Sequence, residues 1–175
     1  AALQYGTTAG DLELRRLTGA RLQLLDQAAV VARADAAPTG RDRGPELWEG
    51  LYSPERLFIT SGSQQLLYTL SECLCDPGDI VLVEDPTYFV FLGIMQSHGL
   101  RCRGIRLTED GLDLDALESA LATLARSGEI RRVKLLYLVS YFQNPTGITT
   151  TWERKAAALA ILRRFERETG HPLYL

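Results

Sequence analysis

The chain has 175 residues, with 19 lysines and arginines against 22 aspartates and glutamates, which gives a formal net charge of −3. A content of 46% hydrophobic and 23% charged residues is typical of a globular protein and excludes disordered and collagen-like classes. The mildly acidic balance offers no basis for binding nucleic acid or anionic lipid, and no apolar run is long enough to span a membrane. Three cysteines (Cys73, Cys75 and Cys102) form neither a disulfide framework nor a CxxC pair. This favours a reducing, cytoplasmic setting.

The first third of the sequence predicts one long helix, a loop and a short helical turn. Asp11 is a candidate N-cap for a helix that runs to about residue 33, with leucines near helical spacing. Residues 34–51 are rich in Ala, Gly, Pro and Arg, which predicts a loop. Ser53 followed by Pro54 predicts one short helical turn. We therefore divide the sequence into an N-terminal helix region (1–33), a loop-rich linker (34–56) and a core (57–175).

In the core, short apolar segments alternate with helical patterns. Strands are predicted at residues 57–60, 80–84, 100–107 and 133–139, and turns at 76–79 and 110–111. Helices are predicted after residue 63, over 87–98, from an Asp113 cap to about 128, and over 150–169. For the last helix, Thr150 and Glu153 have the spacing of a capping box. This alternation predicts an α/β fold with a doubly wound, mostly parallel sheet.

The two ends of the chain indicate a piece of a longer protein. The sequence does not begin with methionine and contains only Met95. Residues 171–175 are typical of a strand that stops before its turn. We therefore expect an internal fragment, with some functional residues of the whole protein outside this sequence.

Three unusual loops follow predicted strands, at residues 61–65, 84–88 and 142–147. In an open parallel sheet, ligands bind beyond the carboxyl ends of the strands. If the three strands run parallel, the loops meet at one edge of the sheet. That edge is the candidate functional site.

Each loop carries a residue type that suits a planar, phosphorylated ligand, and each has an ordinary structural alternative. Gly62, Ser63 and Gln64 at a helix start can surround an anion, although serine is also a common N-cap. Tyr88 can lie flat on a planar ring or can pack its helix on the sheet. Asn144 can offer an amide to a ligand, or it belongs to a polar turn.

Taken together, these segments resemble the large domain of a fold-type-I, pyridoxal-phosphate-dependent aminotransferase of class I/II. The resemblance covers nearly the whole chain and is closest to the aminoadipate-aminotransferase and MocR-like branch. The segments that carry it are Tyr-Gly-Thr-Thr-Ala-Gly at 5–10, Ser-Gly-Ser-Gln-Gln at 61–65, Asp-Pro-Gly-Asp at 76–79, Asp-Pro-Thr-Tyr at 85–88 and Phe-Gln-Asn-Pro-Thr-Gly at 142–147.

The resemblance implies a role for each candidate residue. Gly62, Ser63 and Gln64 would hold the phosphate of pyridoxal 5'-phosphate, and Tyr88 would stack on the pyridine ring. Asn144 would donate a hydrogen bond to the phenolic oxygen of the ring and help orient the amino-acid substrate. The protein would supply binding and orientation, and the cofactor the electron sink.

Two further implications concern residues that the chain lacks or shares with a neighbour. Tyr5 would reach the phosphate of the neighbouring subunit, which makes a homodimer the expected unit. The Schiff-base lysine should lie outside the chain, because Lys134 begins its strand at the wrong end of the sheet and Lys155 should lie on a helix surface. The isolated chain is therefore expected to be inactive and to bind the cofactor weakly at best.

The function that this resemblance implies is amino-group transfer between an amino acid and a 2-oxo acid. One alternative is a MocR-type transcriptional regulator, in which an aminotransferase-like domain senses a ligand and a separate winged-helix domain binds DNA. Another keeps the cofactor but catalyses a lyase or decarboxylase reaction, since a fold does not fix the chemistry. His98 and His171 have no paired ligands, so no metal site is predicted.

Overall fold

The computed structural model describes residues 6–34 and 50–175. The chain divides into two compact units, Ala1–Ser63 and Gln64–Leu175. Tyr5 and most of the predicted loop at 34–51 lie outside the described residues. The division of the sequence into 1–33, 34–56 and 57–175 stays a prediction.

The first unit is built on the predicted long helix, α1 (Leu12–Ala34). Asp11 caps it as predicted, because its Oδ1 accepts a hydrogen bond from the Leu14 N–H at 2.8 Å. A Cβ on Gly19 would collide with the Tyr52 carbonyl oxygen, so a glycine is required where the backbone at Tyr52 passes α1. The predicted turn is a 3-10 turn at Pro54–Arg56.

The predicted strand at residues 57–60 is wrong. In the part of the chain that the structure describes, this segment joins no strand ladder. Its Ile59 N–H donates to the Ala9 carbonyl oxygen at 3.0 Å, and the Phe58 side chain is 67% exposed. A short apolar run adopts strand structure only when a neighbouring strand pairs with it, and the sequence pattern does not reveal whether one does.

The second unit contains a four-stranded sheet with helices. Its strands are β1 (Ile80–Asp85), β2 (Arg101–Thr108), β3 (Gly111–Leu112) and β4 (Val133–Tyr137). Its helices are α3 (Phe89–Ser97), α4 (Leu114–Arg126) and α5 (Trp152–Thr169), together with α2 (Ser63–Leu74), which begins at the last residue of the first unit. The strand order is β3-β2-β1-β4.

The sheet is mostly parallel and is covered on both faces. Strand β1 pairs in parallel with β2 and β4, and the short β3 pairs antiparallel with β2. On one face, Val81 packs with Phe91 of α3. On the other, Leu82 packs with Leu121 of α4 and Leu162 of α5. The predicted α/β, doubly wound architecture is confirmed.

Strand β4 ends earlier than predicted, and the reason bears on the site. The apolar run extends to Val139, but the ladder stops at Tyr137. The Val139 N–H donates to the Glu84 side chain instead of to a neighbouring strand. At the end of the chain, Tyr174 makes an isolated parallel bridge with Leu135, so the predicted strand at 171–175 is reduced to one residue pair.

The cap of α5 lies one residue later than predicted. Thr151, not Thr150, accepts a hydrogen bond from the Arg154 N–H, at 3.3 Å. Thr150 is buried against the β2–β3 turn, where a Cβ on Gly111 would lie 2.5 Å from its hydroxyl oxygen. Its N–H donates to the Ser140 carbonyl oxygen, so it belongs to the preceding loop.

Candidate functional site

Two of the three predicted loops lie at the same edge of the sheet. Strands β1 and β4 are parallel neighbours, so the loops that follow Asp85 and Tyr137 leave the sheet at its carboxyl edge. The third loop, at 61–65, follows the segment that is not a strand, and the sheet therefore does not fix its position.

Tyr88 and Gln64 are brought together within the second unit. Tyr88 is the N-cap residue of α3 and packs against the apolar cluster on that face of the sheet. Gln64 lies in the first turn of α2, and its Nε2 donates to the Tyr88 hydroxyl oxygen at 3.2 Å. Part of the tyrosine side chain packs on the core, which is the structural alternative for this residue, and its hydroxyl lies beside a predicted phosphate-binding residue. Stacking of its ring on a planar ligand stays a prediction.

The start of α2 is exposed and open to the approach of a small ligand. Gly62 has φ +85°, a conformation that favours glycine. A Cβ there would meet no described atom within 4 Å. Residues Gly62, Ser63 and Gln64 are exposed, and the first N–H groups of a helix have no partner within the helix. An anion could therefore approach the backbone closely.

The loop at 142–147 places two adjacent polar side chains in opposite environments. Asn144 is exposed and precedes a cis peptide bond to Pro145. Gln143 is only 2% exposed. The Gln143 Oε1 accepts hydrogen bonds from the Thr146 N–H at 2.9 Å and from the Thr146 hydroxyl at 2.6 Å. The buried glutamine thus holds the loop, while the asparagine remains available to a ligand.

Gln143 also connects this loop to the loop that carries Tyr88. Its Nε2 donates to the Pro86 carbonyl oxygen at 2.7 Å and to the Glu84 Oε2 at 3.3 Å. Pro86 lies two residues before Tyr88, and Gln143 lies directly before Asn144. The structure therefore joins the two loops through one side chain.

The sequence analysis missed two candidate residues of this site: Gln143 and, as the second, Glu84. It is 1% exposed, and burial raises the pKa of its carboxyl group, although hydrogen bonds from the Val139 N–H and Gln143 oppose this. No lysine or arginine of the described residues pairs with it, and its Oε1 has no hydrogen-bond partner among them. One feature of the sequence could have indicated Glu84: it directly follows the apolar run 80–83, and a charged group is costly to bury at the end of a buried strand.

The two lysines lie in different places. Lys134 lies at the start of β4, with Nζ 3.4 Å from Asp79, at the amino edge of the sheet as predicted. Lys155 differs from the expectation of a surface position: it is partly buried, and its Nζ lies 4.3 Å from the centre of the Tyr141 ring. It also lines a mainly apolar cavity of about 370 Å³ between α2, β4 and residues Tyr174 and Leu175. Gln64, Tyr88 and Asn144 do not line this cavity.

Within the described ranges, 6–34 and 50–175, no group of three or more His, Cys, Asp or Glu side chains could hold a metal ion. The absence of a metal site stays a prediction. None of the helices described is long and apolar enough to cross a membrane.

The fold and these loops define an α/β domain with an open, mostly parallel sheet. The sequence profile described as aminotransferase class I and II matches residues 46–168. The chain is 31% identical to aromatic-amino-acid aminotransferase 1 of Thermococcus litoralis, across 94% of this chain and 34% of that relative. The chain belongs to the class I and II aminotransferase family.

Solved structures agree with this assignment. The kynurenine aminotransferase of Pyrococcus horikoshii, crystallised with PMP, matches with a TM-score of 0.70 and 31% identity, over 94% of this chain and 35% of that one. The alpha-aminoadipate aminotransferase LysN of Thermus thermophilus, complexed with N-(5'-phosphopyridoxyl)-L-leucine, matches with a TM-score of 0.65 and 31% identity, over 99% and 34%. The chain spans about a third of the length of these relatives.

A regulator is also among the relatives. The uncharacterized HTH-type transcriptional regulator YdcR of Escherichia coli is 32% identical over 114 residues, which cover 65% of this chain and 22% of that protein.

Proposed function

We propose that the protein containing this chain is a pyridoxal-phosphate-dependent aminotransferase that transfers an amino group between an amino acid and a 2-oxo acid. The observation that carries this proposal is the contact of Gln64 with Tyr88 in a unit where Gln143 joins the Tyr88 loop to the Asn144 loop. This arrangement places a helix-start amide, an aromatic hydroxyl and an exposed asparagine on connected elements.

The residues present suit the cofactor. Gly62, Ser63 and Gln64 would hold the phosphate, because the helix start is exposed and open above the glycine. Tyr88 would lie on the pyridine ring, and Asn144 would donate to the phenolic oxygen and orient the amino-acid substrate. When bound, pyridoxal phosphate supplies the electron sink for amino-group transfer.

We also propose that the working unit is a cytoplasmic homodimer. Tyr5 would contact the phosphate bound by the neighbouring subunit. The first unit supports a partner, because Leu17 and Leu24 of α1 are 61% and 67% exposed, which is costly for leucines on one helix. The cytoplasmic setting is supported by the three cysteines, all of which are free thiols.

The proposal is tested with the protein at its natural length. A panel of amino acids is incubated with pyridoxal phosphate and 2-oxoglutarate, and the expected result is formation of glutamate and a new 2-oxo acid. Asn144→Ala should lower kcat/KM about tenfold to a hundredfold, since one hydrogen bond to a charged group is worth about 1.5–3 kcal/mol. The exposed control Gln96→Ala should leave it unchanged.

Other outcomes of the same assay would favour other functions. Release of ammonia or carbon dioxide without a new amino acid would indicate a lyase or decarboxylase. Absence of turnover together with specific DNA binding would indicate the regulator, which the similarity to YdcR keeps as the second candidate. Failure of the protein to bind pyridoxal phosphate would overturn the proposal.

A further inference from the structure

We propose that Glu84 and Gln143 are positioning residues: a buried carboxylate and a buried amide that hold the Tyr88 loop and the Asn144 loop at a fixed separation. This inference rests on the proposed function, because it assigns the pair a role toward the cofactor that Tyr88 and Asn144 would contact. We call the two side chains the loop clamp. Neither of them would touch the cofactor.

Both ends of the Gln143 side chain are used, and in different loops. Its oxygen accepts two hydrogen bonds from Thr146, within its own loop. Its nitrogen donates to Pro86 in the other loop and to Glu84 at the end of β1. A side chain with this many bonds and 2% exposure has little freedom. Since Asn144 is the next residue, its backbone position follows from that of Gln143.

Glu84 fixes the base on which both loops stand. Its Oε2 accepts from the Val139 N–H at 3.1 Å and from Gln143. Val139 lies just beyond β4, at the start of the segment that leads to Asn144. One oxygen atom therefore holds the exit of β4 and the tip of the loop against the end of β1.

Ordinary packing does not account for this pair. Burying a carboxylate and an amide is costly unless their hydrogen bonds are made, and two apolar side chains of similar size would fill the same space without that cost. Hydrogen bonds are directional, so they fix relative position more closely than apolar contacts do. The location of the pair between the two loops that carry Tyr88 and Asn144 is what gives that precision a use.

In the loop clamp, Glu84 acts through its hydrogen-bond-accepting oxygen and not through its charge. Glu84→Gln keeps an oxygen that can accept from both Val139 and Gln143. Glu84→Leu removes it. Gln143→Leu removes all four bonds of the amide. Gln143→Glu keeps acceptors for Thr146, loses the donor to both Pro86 and Glu84, and sets a second carboxyl group beside Glu84.

The experiment uses the protein at its natural length and has two readouts. The first is the dissociation constant of pyridoxal phosphate, followed by absorbance. The second is amide hydrogen exchange, without cofactor, at residues 85–89 and 139–149. Gln96→Leu and Gln96→Glu, on the exposed side of α3, are the matched controls.

We expect Gln143→Leu and Glu84→Leu to weaken cofactor binding about tenfold or more and to speed exchange in both segments. Gln143→Glu, which keeps the bonds to Thr146 within the loop, should speed exchange in both segments and carries the test if Gln143→Leu does not fold. Glu84→Gln should stay within about twofold of the wild type in both readouts. The Gln96 variants should not differ from it.

Faster exchange confined to residues 142–147, with unchanged cofactor affinity, would overturn the clamp. Equal damage from Glu84→Gln and Glu84→Leu would also overturn it, because the accepting oxygen would then not be the important feature. If the wild-type protein binds no pyridoxal phosphate, the proposed function fails, and the exchange pattern in the two segments still decides whether the clamp exists.

Discussion

Strand β1 has a buried acid at each end, and the two acids are treated differently. Asp79, directly before the strand, is 4% exposed. It lies 3.4 Å from the Lys134 Nζ and 3.8 Å from an Arg132 guanidinium nitrogen, and it accepts a hydrogen bond from the Asp76 N–H. Glu84, at the other end, is 1% exposed, and its partners among the described residues are a backbone N–H and an amide.

The difference indicates what each end of the sheet does. At the amino edge, Lys134 and Arg132 compensate the negative charge of Asp79, so no further cation is needed there. At the carboxyl edge, the acid is surrounded by neutral donors that fix loop positions. Buried ion pairs anchor a fold without necessarily adding net stability, whereas amide networks impose geometry. The edge with the network is the edge that carries Tyr88 and Asn144.

The largest effect on stability is expected at the amino edge. Asp79→Ala should lower the free energy of unfolding by about 3 kcal/mol, because it breaks a nearly buried ion pair and leaves the Asp76 N–H without its acceptor. Chemical denaturation measures this effect. Affinity for pyridoxal phosphate should not change in the folded variant, since the substitution lies at the opposite edge from the candidate site.

The control is Asp110→Ala. This acid pairs with Arg154 at 3.5 Å, but its side chain is 67% exposed, so the loss should be about 0.5 kcal/mol or less. A similar loss from both substitutions, or a weaker cofactor affinity in Asp79→Ala, would erase the contrast between the two edges.

The second prediction concerns the pH dependence of stability at the carboxyl edge. Burial raises the pKa of Glu84 above its ordinary value of 4.5. The folded protein therefore holds this proton at pH values where the unfolded chain has released it, and stability must fall as the pH rises from 4.5 through the raised pKa. Each unit of difference corresponds to about 1.4 kcal/mol.

Glu84→Gln isolates this contribution. The free energy of unfolding of the wild type, minus that of the variant, should decrease across the window above pH 4.5 and be flat below it. Asp113 and Glu129 do not interfere, because hydrogen bonds lower their pKa values and they titrate below the window. Burial, together with the negative charge of Glu84, raises the pKa of Tyr137 above 10.0, so this residue stays protonated. Parallel stability curves would contradict the prediction.

Much of the architecture followed from local pattern. Asp11 and Asp113 cap their helices as expected, since a cap depends on residues within one turn. The parallel order was predictable from the alternation of strands and helices. The structure of segment 57–60 was not predictable in this way, because a strand forms only when a second strand pairs with it. The prediction that Thr150 caps α5 failed for a similar reason. Thr150 is buried in the preceding loop by tertiary contacts, and Thr151 is the N-cap residue.

The candidate site was predicted unevenly. Its accessible residues, the exposed Gln64 and Asn144 and the partly buried Tyr88, belong to motifs that a sequence displays. Its buried residues, Glu84 and Gln143, could not be identified from the sequence. They are distant along the chain, and the structure alone shows that their side chains are hydrogen-bonded. A hydrogen bond between side chains of separate loops leaves no periodic pattern. The roles of all five residues toward a cofactor stay predictions.

The smallest expected effect separates the two cations of the amino edge. The Lys134 side chain is 24% exposed and lies nearer to Asp79, whereas that of Arg132 is 57% exposed. Lys134→Met should cost about 1–2 kcal/mol, because it leaves a nearly buried carboxylate with Arg132, a largely solvated partner 3.8 Å away. Arg132→Met should cost about 0.5 kcal/mol or less, and raising the salt concentration should reduce that cost, since exposed pairs are screened. Chemical unfolding of both variants in low and high salt measures the two effects. Equal losses that do not depend on salt would contradict the prediction. They would mean that the two cations compensate Asp79 jointly and that neither ion pair dominates.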